Sequence, residues 1–546
     1  MMGLPRLFPS CKVDKHYNPA IRLFGLRFIR DQSIVEYLSE FLSIVYSDKR
    51  IFHNETIVSP FPSFEDLRKW SSEETAERLR YKPPVKLNLK LFAFLGASPT
   101  DKRHDIHGKQ YIELANKLED NIRAINKEPE EVRECIEDFL KGFQGAGFNR
   151  TWCAQTFYPV SSSLLTRETI WNETVARRYS VQTWENSIYD FGTYYSTSKR
   201  DFLARGGEVL YLQLCNALST PQEDMDEFLQ NIGFYFDEDE RNLERLHNSL
   251  QYGLRQLDGQ HTVPLDNLVD YVDNLDENTN KLTNDNSGEV QSGWCPRDSW
   301  PEGYLFAVEL NRILTATLDH MDRLELMMTG CVLQVLRSLC AQSVRYAQEL
   351  LSSAEGGALR YCWVFSPPGS STRQQRLISQ RNLQVVQGLI QGALRNDALK
   401  EYVRSNPKND NDVKVRRLYK EADDKYGHRL FLALGKRLGI IIPQRGPGAR
   451  FIMTEKALRY FVVTLLRPGE LLTYDEFVAR LYCHYGIAIE GSYIEDAMRW
   501  SGLPPNDSVQ SGRELWLPEM LRAGGFLTEL SDACAIVHNP FGNSRN

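Results

Sequence analysis

The chain has 546 residues, 42% of them hydrophobic and 25% charged, with a formal net charge of −7. That composition is ordinary for folded protein and excludes collagen, a coiled-coil rod and wholesale disorder. The length suffices for about three to five domains of roughly 100–200 residues. No run approaches the ~18 consecutive apolar residues of a membrane helix. The densest, Leu326 to Leu336, is interrupted by Thr329, Gly330 and Gln334, so no membrane is expected as a partner.

No secretory h-region opens the sequence, and the ten cysteines are scattered without a C-x-x-C pair. Reduced thiols in a cytoplasmic protein are therefore expected, with no cofactor and no metal. Charge is less evenly spread. Residues 391–460 hold 16 Lys/Arg against 8 Asp/Glu, whereas residues 265–325 hold 13 acids against Lys281, Arg297, Arg312 and Arg323. Such asymmetry points to a nucleic-acid or acidic partner at the basic end; solvated helix faces are the bland alternative.

In chain order, residues 1–143 read as a mostly helical region. Ile34, Leu38, Phe41, Leu42 and Val45 repeat at helical spacing, and Ser63 and Ser71 are placed as helix caps. Residues 108–143 are helical with a break before Pro129, and Gly142 to Gly147 mark a hinge. Residues 144–263 form an aromatic-rich helical region, with Trp152, Trp171, Trp184, Phe191 and Tyr195 among arginines such as Arg167 and Arg177. Aromatics among arginines can stack on unpaired bases, but they also suit a helical core with paired cations. Asp, Asn, Gly and Ser dominate 264–300, predicting an exposed acidic linker or surface excursion. Residues 301–410 open on one long helical pattern from about Gly303 to Ser353, with Leu310, Leu314, Leu318, Met328, Val332 and Leu339 on one face.

The last third is the most informative. Val413–Tyr426 and His428–Leu438 pattern as basic helices, Gly439–Pro443 as a strand, Gln444–Arg450 as a Gly/Pro turn flanked by arginines and Phe451–Met453 as the returning strand. Thr454 then caps a helix over Glu455–Leu466. Helices followed by a hairpin with a glycine-rich basic tip resemble a winged-helix module, a relative of helix-turn-helix folds, over residues 411–466. Residues 467–546 resemble a second copy without the basic dress. Thr473 caps its first helix, and Phe526–Leu530 pairs with Ala533–Val537 as a terminal hairpin. The expected fold is thus mainly α and multidomain, with α+β winged-helix-like carboxy-terminal modules. The resemblance implies binding of nucleic acid, duplex DNA before other forms, through Lys436, Arg437, Arg445 and Arg450.

Catalytic signatures are sparse. His104 and His107 with Asp101 and Asp105 form a polar cluster without a distant third ligand, and Arg241 with His247 fits the loose R-x-x-x-x-x-H pattern of HEPN-type ribonucleases. No HExxH, GxSxG or phosphate loop occurs. The expectation is a non-catalytic nucleic-acid-binding and scaffolding subunit, working with other protein subunits in a prokaryotic system that acts on DNA, such as phage defence or chromosome maintenance. A nuclease subunit and a pure protein-interaction scaffold are the alternatives.

Overall fold

The computed structural model describes residues 16–25, 28–51, 55–57, 60–69, 79–90, 108–146, 156–167, 169–172, 183–196, 206–232, 236–258, 263–292, 295–347, 357–369, 373–503, 516–531 and 534–542. Among them 23 α-helices outweigh 15 short strands, so the chain is mainly α. Helices α1 (Ile34–Tyr46) and α2 (Gly206–Leu218) cross at the amino-terminal side of the main core. Every residue of α2 is buried. It packs α1 on one side and α3 (Trp300–Thr315) on another, and two glycines permit the approach. A Cβ on Gly207 would lie 2.3 Å from the Phe41 nitrogen, and one on Gly303 would lie 2.2 Å from the Gln213 carbonyl oxygen. Those neighbours are backbone and cannot swing aside.

The spine is α4 (His320–Tyr346), continuously buried from Leu326 to Val344 and packed by α1 and α3. By length and composition it could cross a bilayer, but 94% of its most apolar window is buried inside the protein. The single helix expected over 303–353 is in fact α3 and α4, separated at 316–319. Asp319 causes the restart, its side chain accepting from the Met321 amide at 2.9 Å. The Thr317 amide meanwhile pairs with the Phe541 carbonyl near the carboxy terminus.

A second, smaller core corrects the reading of 264–300 as an exposed excursion. Helices Val263–Asp273 and Glu277–Asn286 occupy that stretch. Leu265, Val269, Val272 and Leu275 pack there with Leu118, Leu140, Trp184, Phe191 and Tyr195. Two of its acids are partnered, since Asp266 accepts from Ser163 at 2.6 Å and Asp276 pairs with Lys117 at 3.0 Å, while Asp270, Glu277 and Asp285 are exposed on the outer face. The stretch then closes on the amino-terminal region, since Val290–Gln291 is the edge strand of an antiparallel sheet with Arg80–Tyr81, Lys49–Ile51 and Glu55–Ile57. Several aromatics of 144–263 lie in the same core: Phe191 stacks on Tyr195 at 4.8 Å, and Trp184 is buried beside them, whereas Tyr189 and Tyr252 are exposed.

In the last third, β1 (Trp363–Val364) leads into α5 (Arg373–Leu394), α6 (Asp397–Arg404), α7 (Asp412–Glu421) and α8 (His428–Leu438). A two-residue antiparallel pair, β2 (Ile441–Ile442) and β3 (Arg450–Phe451), follows, then α9 (Glu455–Leu465). Thr454 caps α9 through the Ala457 amide at 3.2 Å. Next come β4 (Leu471–Thr473), α10 (Tyr474–Tyr485), β5 (Ile487–Ala488), helices Gly491–Trp500 and Trp516–Ala523, and the hairpin of β6 (Leu527–Ser531) and β7 (Cys534–His538). The three-stranded sheet has the order β4-β7-β6, all antiparallel. Strand β5 runs parallel to β1, which stitches the carboxy-terminal elements to the segment leaving the spine.

Candidate nucleic-acid interface

The basic hairpin is mounted on an aromatic anchor. Phe451, fully buried, stacks with Phe365 at 5.6 Å and with Trp363 at 5.8 Å, and Phe431 from α8 meets it edge-on at 6.2 Å. Helix α5 fixes the same strand by polar contacts. The Phe451 amide donates to Ser379 Oγ at 3.0 Å, and the Ser379 hydroxyl donates to the Phe451 carbonyl at 3.1 Å. Beyond this anchor, residues 444–448 are exposed. Gly446 at φ +93° and Gly448 at φ +84° make the tip, a backbone region open to glycine but strained for other residues.

Of the four predicted cations, three cluster at this tip. Arg445 is exposed on the turn, and Arg450 stands at the start of the returning strand. Lys436, at the end of α8, donates to the Gln444 carbonyl at 3.2 Å, while Gln444 Nε2 donates back to the Lys436 carbonyl at 2.7 Å. That exchange ties helix end to turn. Arg437 is placed differently: its guanidinium donates to the carbonyls of Arg30 at 2.8 Å and Gln32 at 2.5 Å, clamping the amino-terminal segment.

Sequence reading missed a fifth cation. Arg376 lies one turn before Ser379 and Gln380, and Gln380 Nε2 donates to the Gly448 carbonyl at 3.3 Å, so this face of α5 runs along the hairpin. Arg450 holds its proton less tightly than an ordinary arginine, because of partial burial and then repulsion from Arg376. Its buried Nε has no hydrogen-bond acceptor. Among the described residues, Arg376, Arg445 and Arg450 make no ion pair. Like charges that repel without an ion-pair partner are an arrangement that an incoming anion would relieve. The sequence signal was the pair Arg373 and Arg376 at helical spacing just outside the basic window.

Of the catalytic candidates, Arg241 and His247 each hold a different backbone carbonyl. His247 is buried, with Nε2 at 2.8 Å from the Pro62 carbonyl and the rings of Phe61 and Phe64 against it. Arg241 instead donates to the Phe236 carbonyl at 3.0 Å. Asp101, His104, Asp105 and His107 lie outside the described residues. Among the described residues no group of His, Cys, Asp and Glu could hold a metal ion.

A polar cluster that sequence reading missed altogether lies in the core between α3, α4, α9 and α10. Glu309 accepts from the Tyr460 hydroxyl at 2.7 Å, pairs with Arg337, and stands 2.6 Å from His484 Nε2. Burial pushes the Glu309 carboxyl up, but Arg337, His484 and Tyr460 together outweigh it and hold it ionised. Burial also holds His484 neutral, below its ordinary range, despite the carboxylate beside it. A second buried pair, Arg312 with Glu240, is bidentate at 2.6 and 2.8 Å. Glu309 and His484 have fully buried side chains, so this chemistry is sealed from solvent and joins helices. Compared with protein-family models, with curated proteins and with solved structures, the chain matches none.

Proposed function

We propose that this chain is a non-catalytic nucleic-acid-binding and scaffolding subunit of a multiprotein system acting on DNA, and that it holds the phosphate backbone at the 441–451 hairpin. The observation that carries the reading is the exposed glycine-proline tip flanked by Arg445 and Arg450, which with Arg376 on the docked face of α5 make no ion pair among the described residues. Arg445 and Lys436 extend the same positive surface. Tip glycines let a backbone approach closely, and arginine matches phosphate with two parallel donors. Winged-helix architecture is the frame that suits this use. In the second module strand β4 precedes three helices and a hairpin whose last strand, β7, pairs with β4.

Binding is tested by gel retardation and fluorescence anisotropy on duplex and single-stranded DNA across a salt series. Each phosphate neutralised releases condensed counterion, so the slope of log K against log salt falls by roughly 0.9 per duplex contact. Arg445→Ala with Arg450→Ala is expected to weaken binding and flatten that slope by up to about two. Absence of binding at low salt, or an unchanged slope in the double variant, overturns the assignment.

A further inference from the structure

The excess positive charge of 391–460 does not all reach the hairpin. A separate cavity of about 580 Å³ opens between the end of α5, α6, α7 and the start of α8. Six cations line it (Arg395, Lys400, Arg404, Arg416, Lys420 and Arg429) against two acids, Asp423 and Asp424. The acids are already engaged. Arg395 grips Asp423 at 2.7 and 3.3 Å, and Arg429 reaches Asp424 at 2.9 Å. Lys400 turns to Asp397 at 2.7 Å. That leaves Arg404, Arg416 and Lys420 without an ion pair among the described residues, from two helices facing one cavity. Arg416 and Lys420 stand one turn apart on α7, on the same face.

Tyr419 completes the wall. Arg395 sits over its ring at 5.3 Å, and its hydroxyl is buried without a hydrogen-bond partner. A tyrosine hydroxyl usually finds a partner when buried. The first turn of α8 also lines the cavity, at His428 and Arg429, and its cap residue Gly427 supplies no side-chain hydrogen bond. The partial positive charge of a helix start therefore adds to the cations.

From these observations we infer that the cavity binds a soluble ligand carrying a chain of phosphates, of the size of a nucleoside triphosphate. The volume falls inside the range of roughly 300–1,000 Å³ typical of small-molecule pockets. Three uncommitted cations and one hydroxyl donor match an oligophosphate better than a monoanion. This site is separate from the hairpin and stands whether or not the hairpin binds DNA.

The test titrates the full-length protein calorimetrically with inorganic tripolyphosphate and with ATP at low salt, and with a short single-stranded oligonucleotide in parallel. One site per chain is expected for tripolyphosphate and ATP. Arg404→Ala with Arg416→Ala should weaken it at least about tenfold, since each hydrogen bond to a charged group contributes roughly that factor or more. Arg445→Ala with Arg450→Ala should leave it unchanged. Tyr419→Phe removes only the unpartnered hydroxyl, so affinity should fall severalfold with no drop in thermal midpoint. Equal binding of tripolyphosphate and ATP would place recognition in the phosphates, whereas a preference for ATP would add the nucleoside; both support the site. No binding of either at about 1 mM, the weak end of specific affinity, overturns it. So does tripolyphosphate or ATP binding that survives in the Arg404/Arg416 variant. A third refuting result is loss of oligonucleotide binding alone in that variant, which would make the cavity part of a strand track.

Discussion

Replacing Glu309 by leucine removes the anion from a buried cluster in which three partners surround it: Arg337, the His484 ring and the Tyr460 hydroxyl. The largest cost is the guanidinium left behind. Arg337 is 1% exposed, and breaking a buried pair by deleting one member costs about 3–5 kcal/mol. Its remaining contacts, a hydrogen bond to Gln334 at 2.9 Å and the Tyr485 ring at 5.1 Å, do not replace an anion. The Tyr460 hydroxyl adds a desolvation cost of about 1–3 kcal/mol if it finds no new acceptor. The terms share a cavity and do not simply add, so a loss of about 4–6 kcal/mol is expected. Native domains have only about 5–15 kcal/mol in total, so the variant should be close to unfolding at room temperature. Urea titration followed by far-ultraviolet dichroism and tryptophan fluorescence measures this as a fall in midpoint at unchanged slope. Glu309→Leu with Arg337→Met should recover most of the loss, since an apolar replacement for a buried pair is often neutral. A loss below about 1 kcal/mol in the single variant, or a double variant worse than the single, would refute the account of this cluster.

Acid should destabilise the protein in two stages. His484 is neutral in the native state, so below its ordinary 6.5 the unfolded chain takes a proton that the folded one refuses, and stability falls with falling pH. Glu309 is held ionised, so its contribution, whole above the ordinary 4.5, is lost as pH drops further; thermal midpoints across that range check both signs. Gly303→Ala should cost about 1–3 kcal/mol or more by overpacking, because its Cβ meets backbone at 2.2 Å, and calorimetry would read the lower midpoint. Arg437→Ala should lose about 1–3 kcal/mol of stability through its two carbonyl contacts, yet leave the salt slope of DNA binding unchanged. Limited proteolysis should spare 264–290, whose helices lie in the second core, and early cleavage there would contradict that packing.

Helical character was legible because it rests on local spacing. Ile34 to Val45 repeats at three to four residues, and Ser33 closes a capping box with Glu36 in α1. Thr454 and Thr473 were readable as caps for the same reason, since a cap is a contact three residues long. The acidic stretch misled because composition was weighed above period. Leu265, Val269 and Val272 do carry a helical stripe, but Asp266 and Asp276 read as solvated until Ser163 and Lys117 are brought across from distant parts of the chain. A pairing of that sort has no local signature. The break between α3 and α4 is the opposite case, a local cap at Asp319 hidden inside an otherwise unbroken apolar pattern.

The basic segment shows where sequence reasoning about charge stops. Counting cations over 391–460 locates an excess but not its direction, and the fold divides it three ways. Arg437 is spent on the carbonyls of the amino-terminal loop. Arg445 and Arg450 stay at the hairpin, and Arg404, Arg416 and Lys420 line the cavity between α6 and α7. The residue that makes the hairpin electrostatically unusual, Arg376, lies outside the counted window and arrives only because Ser379 and Gln380 dock α5 along β3 and the tip. Net charge is additive along the chain, whereas a binding surface depends on which cations lack an acid nearby. That second quantity is a property of tertiary contacts, and it separates a solvated basic helix from cations that the fold gathers on one surface without ion-pair partners.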